Sequence, residues 1–366
     1  MKNFAALWPR QPGRVLGTLV LATLAALAFE ALNTPIPWML GPLVVVSIVS
    51  LVGAPTVSHL PLRNTGQWVI GTALGLYFTP QMAALVGALW WAVLLAVVWA
   101  VALGLLFSAW VYKINAQALG VPKPQMLATA YFSGSIGGAS EMTILAEREG
   151  ARADLVAASH SLRVLLVTLT IPFAVQFWGV TGLDDTDALK AVLSLPEGFW
   201  LLLATGLGAW LAMWLKRANP WFMGALVASM LLTVLGLMDG MLPKGLTNAG
   251  QLFIGVSLGV QFRPAFLRTA PRWLGTVAVG TLAMMLLCAA FAWGLSWGTG
   301  LHPATLILAT SPGGIAEMAI TAKVLQLGVP VVTAFQVSRL VVVLIIAEPL
   351  YRYGLKPKFE AKALTR

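Results

Sequence analysis

Ser135-Ile136-Gly137-Gly138-Ala139-Ser140-Glu141-Met142 recurs as Ser311-Pro312-Gly313-Gly314-Ile315-Ala316-Glu317-Met318. Both copies lie within apolar sequence. In both, an arginine (Arg163 or Arg339) follows the glutamate by 22 residues. A helix-breaking, ionisable segment repeated in corresponding halves of an apolar chain points to the binding site of a transporter.

The duplication extends outward from these blocks. Pro37-Trp38 with Gly41 matches Pro220-Trp221 with Gly224. Asn64-x-Gly66-Gln67-x-x-Ile70-Gly71-x-x-Leu74-Gly75-x-x-Phe78-x-Pro80 matches Asn248-x-Gly250-Gln251-x-x-Ile254-Gly255-x-x-Leu258-Gly259-x-x-Phe262-x-Pro264. The offset moves from 183 to 184 and then to 176, the larger change falling around residues 113–124. Three blocks in the same order define an internal repeat. The expected division is residues 1–190 for the first repeat and 191–366 for the second.

Composition fixes the class. Of 366 residues, 59% are hydrophobic and 10% charged, whereas soluble domains carry about 25% charged residues. The mean hydropathy is +0.85. The runs at 83–112 and 273–297 are too long and apolar for buried soluble helices. Tryptophans near run ends, such as Trp38, Trp110, Trp178, Trp200 and Trp297, suit the membrane interface. The basic start (Lys2, Arg10, Arg14) before an apolar run at 15–32 has the form of a signal peptide. The second copy has its own such run at 198–215, so the first is expected to be a retained span.

Each half reads as six apolar elements, of which 125–147 and 303–326 are the broken ones. If both broken segments are re-entrant and the N-terminus is cytoplasmic, 18 Lys and Arg fall inside and three outside (Lys190, Lys244, Lys323). If both cross, the split is 13 to eight. The positive-inside rule favours re-entrance. The expected architecture is therefore an all-α polytopic membrane protein of about ten transmembrane helices and two re-entrant hairpins. Five crossings per half invert the second repeat, leave both termini cytoplasmic and place Asp184, Asp185 and Asp187 outside.

The chemistry sits at the breaks. Gly137, Gly138, Gly313 and Gly314 permit a sharp turn, and the half-helix that follows aims N–H groups at the midplane, favouring anions. Glu141 and Glu317, in the first turn, suit a coupling H+ or Na+, or cap the N–H groups. Arg163 and Arg339 lie mid-span, where a charge costs several kcal/mol and is functional by default. Their candidate partners are an anionic substrate and the glutamate of the same half. Ser135 and Ser311 join them as candidate binding residues, while Asn64, Gln67, Asn248 and Gln251 are candidate cavity-lining residues. The Gly71/Gly75 and Gly255/Gly259 pairs read as helix-packing positions. One cysteine, Cys288, and three scattered histidines, His59, His160 and His302, lack ligand spacing, so neither metal nor cofactor is expected. Gln336 in place of His160 in the second copy argues against a symmetrical role for that histidine.

With its paired Gly-Gly-x-x-Glu-Met blocks and downstream arginines, the chain resembles the AbrB-type duplicated bacterial membrane proteins from about residue 15 to 351. Members of that family also carry the labels ammonia monooxygenase and regulator of gene expression. The resemblance implies a role in regulating gene expression, without a mechanism. A copper oxygenase would need clustered histidines and a transcription factor a DNA-reading domain, so neither catalysis nor direct nucleic-acid contact is expected. The plan is more distantly similar to citrate-type 2-hydroxycarboxylate carriers, a fold-level analogy that carries no substrate. The leading expectation is a secondary transporter of a small anion such as an organic acid, in the bacterial inner membrane. The alternative is a membrane-embedded regulator acting through a ligand or partner. Carriers of this plan are often homodimers, so a second copy joins lipid and anion among the expected partners.

Overall fold

The computed structural model describes residues 11–116, 120–180, 191–262, 264 and 270–357. Among these residues the fold is helical, apart from an isolated bridge between Val192 and Met241. The first half contributes α1 (Pro12–Ala31), α2 (Pro37–Leu51), α3 (Leu60–Gly75), α4 (Pro80–Ala88), α5 (Trp90–Asn115), α6 (Lys123–Gly134), α7 (Ala139–Arg148) and α8 (Ala153–Phe177). The second contributes α9 (Leu195–Trp214), α10 (Pro220–Val234), α11 (Lys244–Gly259), α12 (Pro271–Thr299), α13 (Pro303–Thr310), α14 (Ile315–Leu325) and α15 (Val329–Pro349). The last of these runs into a π-helical segment, Leu350–Leu355. The acidic residues Asp184, Asp185 and Asp187 and both termini lie outside the described residues.

Among the described residues six helices are long and apolar enough to cross a membrane: α1, α5, α8, α9, α12 and α15 with its π-helical extension. A seventh is reached if α3 and α4, which meet at 87°, are one broken span. At 15–16 residues, α2, α3, α10 and α11 span about 22–24 Å at 1.5 Å per residue, short of a hydrocarbon core of about 30 Å. Ten expected spans thus become six by length. The continuous run at 83–112 is also interrupted, because Leu89 leaves helical geometry between α4 and α5. Uniform apolarity conceals such a break, and only Gly87 hints at it.

The described residues form two compact units, each built from corresponding pieces of both halves: 1–87, 169–266 and 319–330 in one, and 88–168, 267–318 and 331–366 in the other. In the first unit α1 packs on α2 as α9 packs on α10, and α2 packs on α11 as α10 packs on α3. The contacts are reciprocal residue by residue. Gly71 on α3 meets the backbone of Phe222 on α10, and Gly255 on α11 meets Met39 on α2. One step along, Gly75 faces Leu226 and Ser229 while Gly259 faces Leu43 and Val46. Backbone conformation repeats too. Ile36 and Asn219, each before its Pro-Trp, have φ of 44° and 45°. Asparagine tolerates that region, but a β-branched side chain does not adopt it readily; Ile36 is held there fully buried.

In the second unit α5 packs on α6, α12 on α13, and α5 on α12. The α6–α7 hairpin is seated by a core of Tyr131, Phe132, Met142, Val156, Val343 and Tyr351. Tyr131 Oη donates to Ala347 O at 2.8 Å, and Trp273 Nε1 on α12 donates to Ser159 Oγ on α8 at 2.8 Å.

A methyl group at Gly255 would stand 2.6 Å from the carbonyl of Met39, whereas at exposed Gly245 it would meet nothing within 4 Å. Gly255→Ala is expected to destabilise by about 1–3 kcal/mol through overpacking against rigid backbone. Gly245→Ala should stay within about 1 kcal/mol of the parent. Melting of the detergent-purified variants separates the two.

Candidate functional site: two helix breaks bonded by arginine

Each hairpin ends its first half-helix the same way. After α6 the chain is extended at Ser135 (φ −59°, ψ 125°), and after α13 at Ser311 (φ −59°, ψ 148°). Such a break strands backbone carbonyls at the end of a short helix, where lipid offers no donor. Side chains supply them. Arg163 Nη1 donates to Ser133 O at 3.1 Å and Nη2 to Ser135 O at 3.3 Å. Arg339 Nη1 donates to Ser311 O at 2.5 Å and Nη2 to Gly313 O at 2.9 Å. A cation at a helix C-terminus also meets the negative end of its dipole. The Ser135 and Ser311 hydroxyls donate back to Tyr131 O and Leu308 O, and the Cys288 thiol donates to Thr310 O.

The arginines are thus bound to carbonyls rather than to the glutamates of their own halves. Arg163 is 2% exposed and Arg339 6%. Among the described residues, Nε of each has no hydrogen-bond acceptor.

The glycine pairs serve a purpose other than the expected one. None of the four has a positive φ, and Gly138 is extended at φ −67°. What matters is the missing Cβ. The carboxylate of Glu141 folds back onto the place a Gly138 Cβ would occupy, and that of Glu317 does the same over Gly314. Met142 covers Gly137, and Met318 with Val167 covers Gly313. Glu141 is at the third position of α7, from which a glutamate reaches back over an N-cap. The helix α9 shows the complete motif, with Ser194 N donating to Glu197 Oε2 at 2.9 Å.

Two functional residues were misjudged in the sequence. His160 Nε2 bonds Phe132 O at 3.0 Å; a carbonyl only accepts, so Nε2 carries the proton. Nδ1 of the neutral ring then accepts from Arg163 Nη2 at 2.7 Å. Gln336 does the equivalent work, its Nε2 donating to Leu308 O at 2.7 Å and Ser311 O at 3.2 Å. Phe132 and Leu308, like His160 and Gln336, are 176 apart. The available signal was a donor one turn before the arginine in both copies. Asn64, Gln67, Asn248 and Gln251 belong to the other compact unit, on α3 and α11, whose glycines Gly66 and Gly250 approach one another. Among the described residues, no three His, Cys, Asp or Glu side chains gather as a metal site requires.

Membrane-length helices beside two interrupted helical segments, each bonded at its break by a buried arginine, define a polytopic helical membrane-type protein. The chain belongs to the AbrB family, its residues 38–354 matching the family described as "Transition state regulatory protein AbrB". It is 27% identical over 346 residues to "Uncharacterized protein YhjN" of Bacillus subtilis (strain 168), covering 87% of each chain. It is 26% identical over 339 residues to "Putative regulator AbrB" of Escherichia coli (strain K12), covering 91% of this chain and 94% of that one.

His160→Gln is expected to melt within about 1 kcal/mol of the parent, since glutamine already fills the equivalent place. His160→Leu should cost about 1–3 kcal/mol by stranding Phe132 O and removing an acceptor from Arg163. Thermal unfolding in detergent reads both.

Proposed function

We propose that the protein is a secondary transporter of a small anion such as an organic acid, acting in the bacterial inner membrane by alternating access. In this reading it is not an enzyme. Its two repeats are inverted, with five crossings and one re-entrant hairpin each and both termini cytoplasmic. The reciprocal glycine contacts at constant offset support a two-fold relation between the repeats. The four short helices then belong to the crossing set where the bilayer thins around them or flanking residues complete the crossing.

The observation that carries the reading is the pair of buried guanidiniums, each bonded to neutral carbonyls and left with an unpartnered Nε. Two like charges in a poorly solvated region are costly unless an opposite charge joins them. An entering anion would supply that charge and accept from Nε. The hairpin tips also differ in exposure. Ala139 and Ser140 are exposed, whereas Ile315, Ala316 and Glu317 are buried. A carrier open to one side at a time would show such a difference.

The regulator reading draws on the family's description and on the name of the Escherichia coli relative. It needs the same site to bind without turnover.

Thermal melting of detergent-purified protein against small inorganic and organic anions, with and without sodium, tests the transporter reading. A ligand bound only by the folded state stabilises it by about 2.7 kcal/mol at a hundred times its Kd. One anion class should raise the midpoint in the parent and not in Arg163→Ala or Arg339→Ala. The same anion should then cross proteoliposome membranes down a gradient. A flat response across the panel removes the transporter reading; a midpoint rise without flux moves the weight to the regulator.

A further inference from the structure

Resting on the transporter reading, we infer that Glu141 and Glu317 act as built-in anions that occupy the N-terminal ends of α7 and α14, and that each leaves as a neutral acid when substrate arrives. The coupling ion is then the proton. The argument begins with the same arrangement in both hairpins. The carboxylate sits over the N-cap glycine, in a seat that exists only because that glycine has no side chain. This is the positive end of a half-helix of 10 residues in α7 and 11 in α14. There, orphan N–H groups favour any anion. The seat alone would be an ordinary cap.

The second observation is the arginine beside it. Arg339 bonds the carbonyl of Gly313, one residue before the glycine over which Glu317 folds, and Arg163 bonds that of Ser135 in the first hairpin. Both guanidiniums are more than nine-tenths buried, with Nε unpartnered among the described residues. Each hairpin tip therefore presents donors from a helix end and from a guanidinium, with an internal carboxylate already over the helix end. A substrate anion competes with that carboxylate for one set of donors. If the carboxylate takes up a proton, it ceases to compete, and one negative charge replaces another. The O–H bond forms on a glutamate oxygen, with the proton coming from the water-exposed side. The net charge of the hairpin is unchanged, so the burial cost of an uncompensated ion is not incurred.

The first hairpin and the helices packed with it also carry Tyr112 and Lys113 on α5, Lys123 and Tyr131 on α6, Glu147 and Arg148 on α7, Asp154 paired with Arg152 at the start of α8, and neutral His160 with Arg163 further along it. Glu149 lies at the far end of α7, paired with Arg352 and Lys356, while Glu348 pairs with Arg352. The second hairpin and the helices packed with it carry His302 before α13, Lys323 further along α14, which lies over the Tyr77 ring, Arg272 and Cys288 on α12, and Arg339 on α15. The acids seated over the N-cap glycines are Glu141 and Glu317.

Sulfate and methanesulfonate keep their charge between about pH 5 and pH 8, so a change in their effect across that range reports a group on the protein. Their effect on the melting midpoint should be several-fold stronger in concentration terms at the lower pH in the parent. In the Glu141→Gln/Glu317→Gln double variant, affinity at about pH 8 should rise to the low-pH value and lose its pH dependence. A second measurement needs no variant: adding sulfate to weakly buffered parent protein should consume protons from solution. The proposal is overturned by an unchanged pH dependence in the double variant, by loss of binding in a folded double variant, or by binding without proton uptake. Absence of arginine-dependent binding by the parent at either pH would instead remove the transporter reading on which it rests.

Discussion

The bonds from Arg163 and Arg339 to the carbonyls at the hairpin breaks are the constraint on which the site depends. A helix interrupted inside an apolar protein exposes carbonyl groups that neither lipid nor aliphatic side chains can satisfy. Here the solution is a guanidinium, which donates in a planar fork and so reaches two carbonyls beside the break at once. The same bonds set the position of the charge. Because Nη1 and Nη2 are committed to Ser133 and Ser135, or to Ser311 and Gly313, each arginine is held by the segment whose break it repairs. Among the described residues the acceptors of both guanidiniums are neutral: backbone carbonyls and, for Arg163, His160 Nδ1.

Much of this was legible before any coordinates. The duplicated Gly-Gly-x-x-Glu blocks located both breaks within a few residues, since Gly134 and Ala139, and Thr310 and Ile315, bound the observed half-helices. The interval of 22 residues to each arginine located the donor. What could not be read was the pairing. Sequence offers two partners for each arginine, the glutamate of the same half and an anionic substrate, whereas carbonyl acceptors are carried by every residue and leave no mark in composition. The reason for the glycines was hidden in the same way. Conformational freedom and a vacant Cβ position are indistinguishable in a sequence, yet only the second applies to Gly138 and Gly314.

Helix length was the other limit. Hydropathy identifies apolar residues but not where a helix stops, so the 83–112 run concealed the break at Leu89. Likewise α2 and α10 look like spans by composition and stop at 15 residues. The close backbone crossings of Gly71 with Phe222 and of Gly255 with Met39 are available only where small residues are spaced along α3 and α11. The ends of those segments are fixed by the proline-led starts and by the positive φ of Ile36 and Asn219.

The exchange of His160 for Gln336 shows what duplication preserves. Imidazole and carboxamide share little as titratable groups, but each directs one N–H at the carbonyl three residues before the break and stands one turn from the arginine. The first half adds an acceptor for its arginine, and the second uses the same amide to reach Ser311 O as well. The position thus conserves a donor while leaving the acceptor chemistry free to diverge.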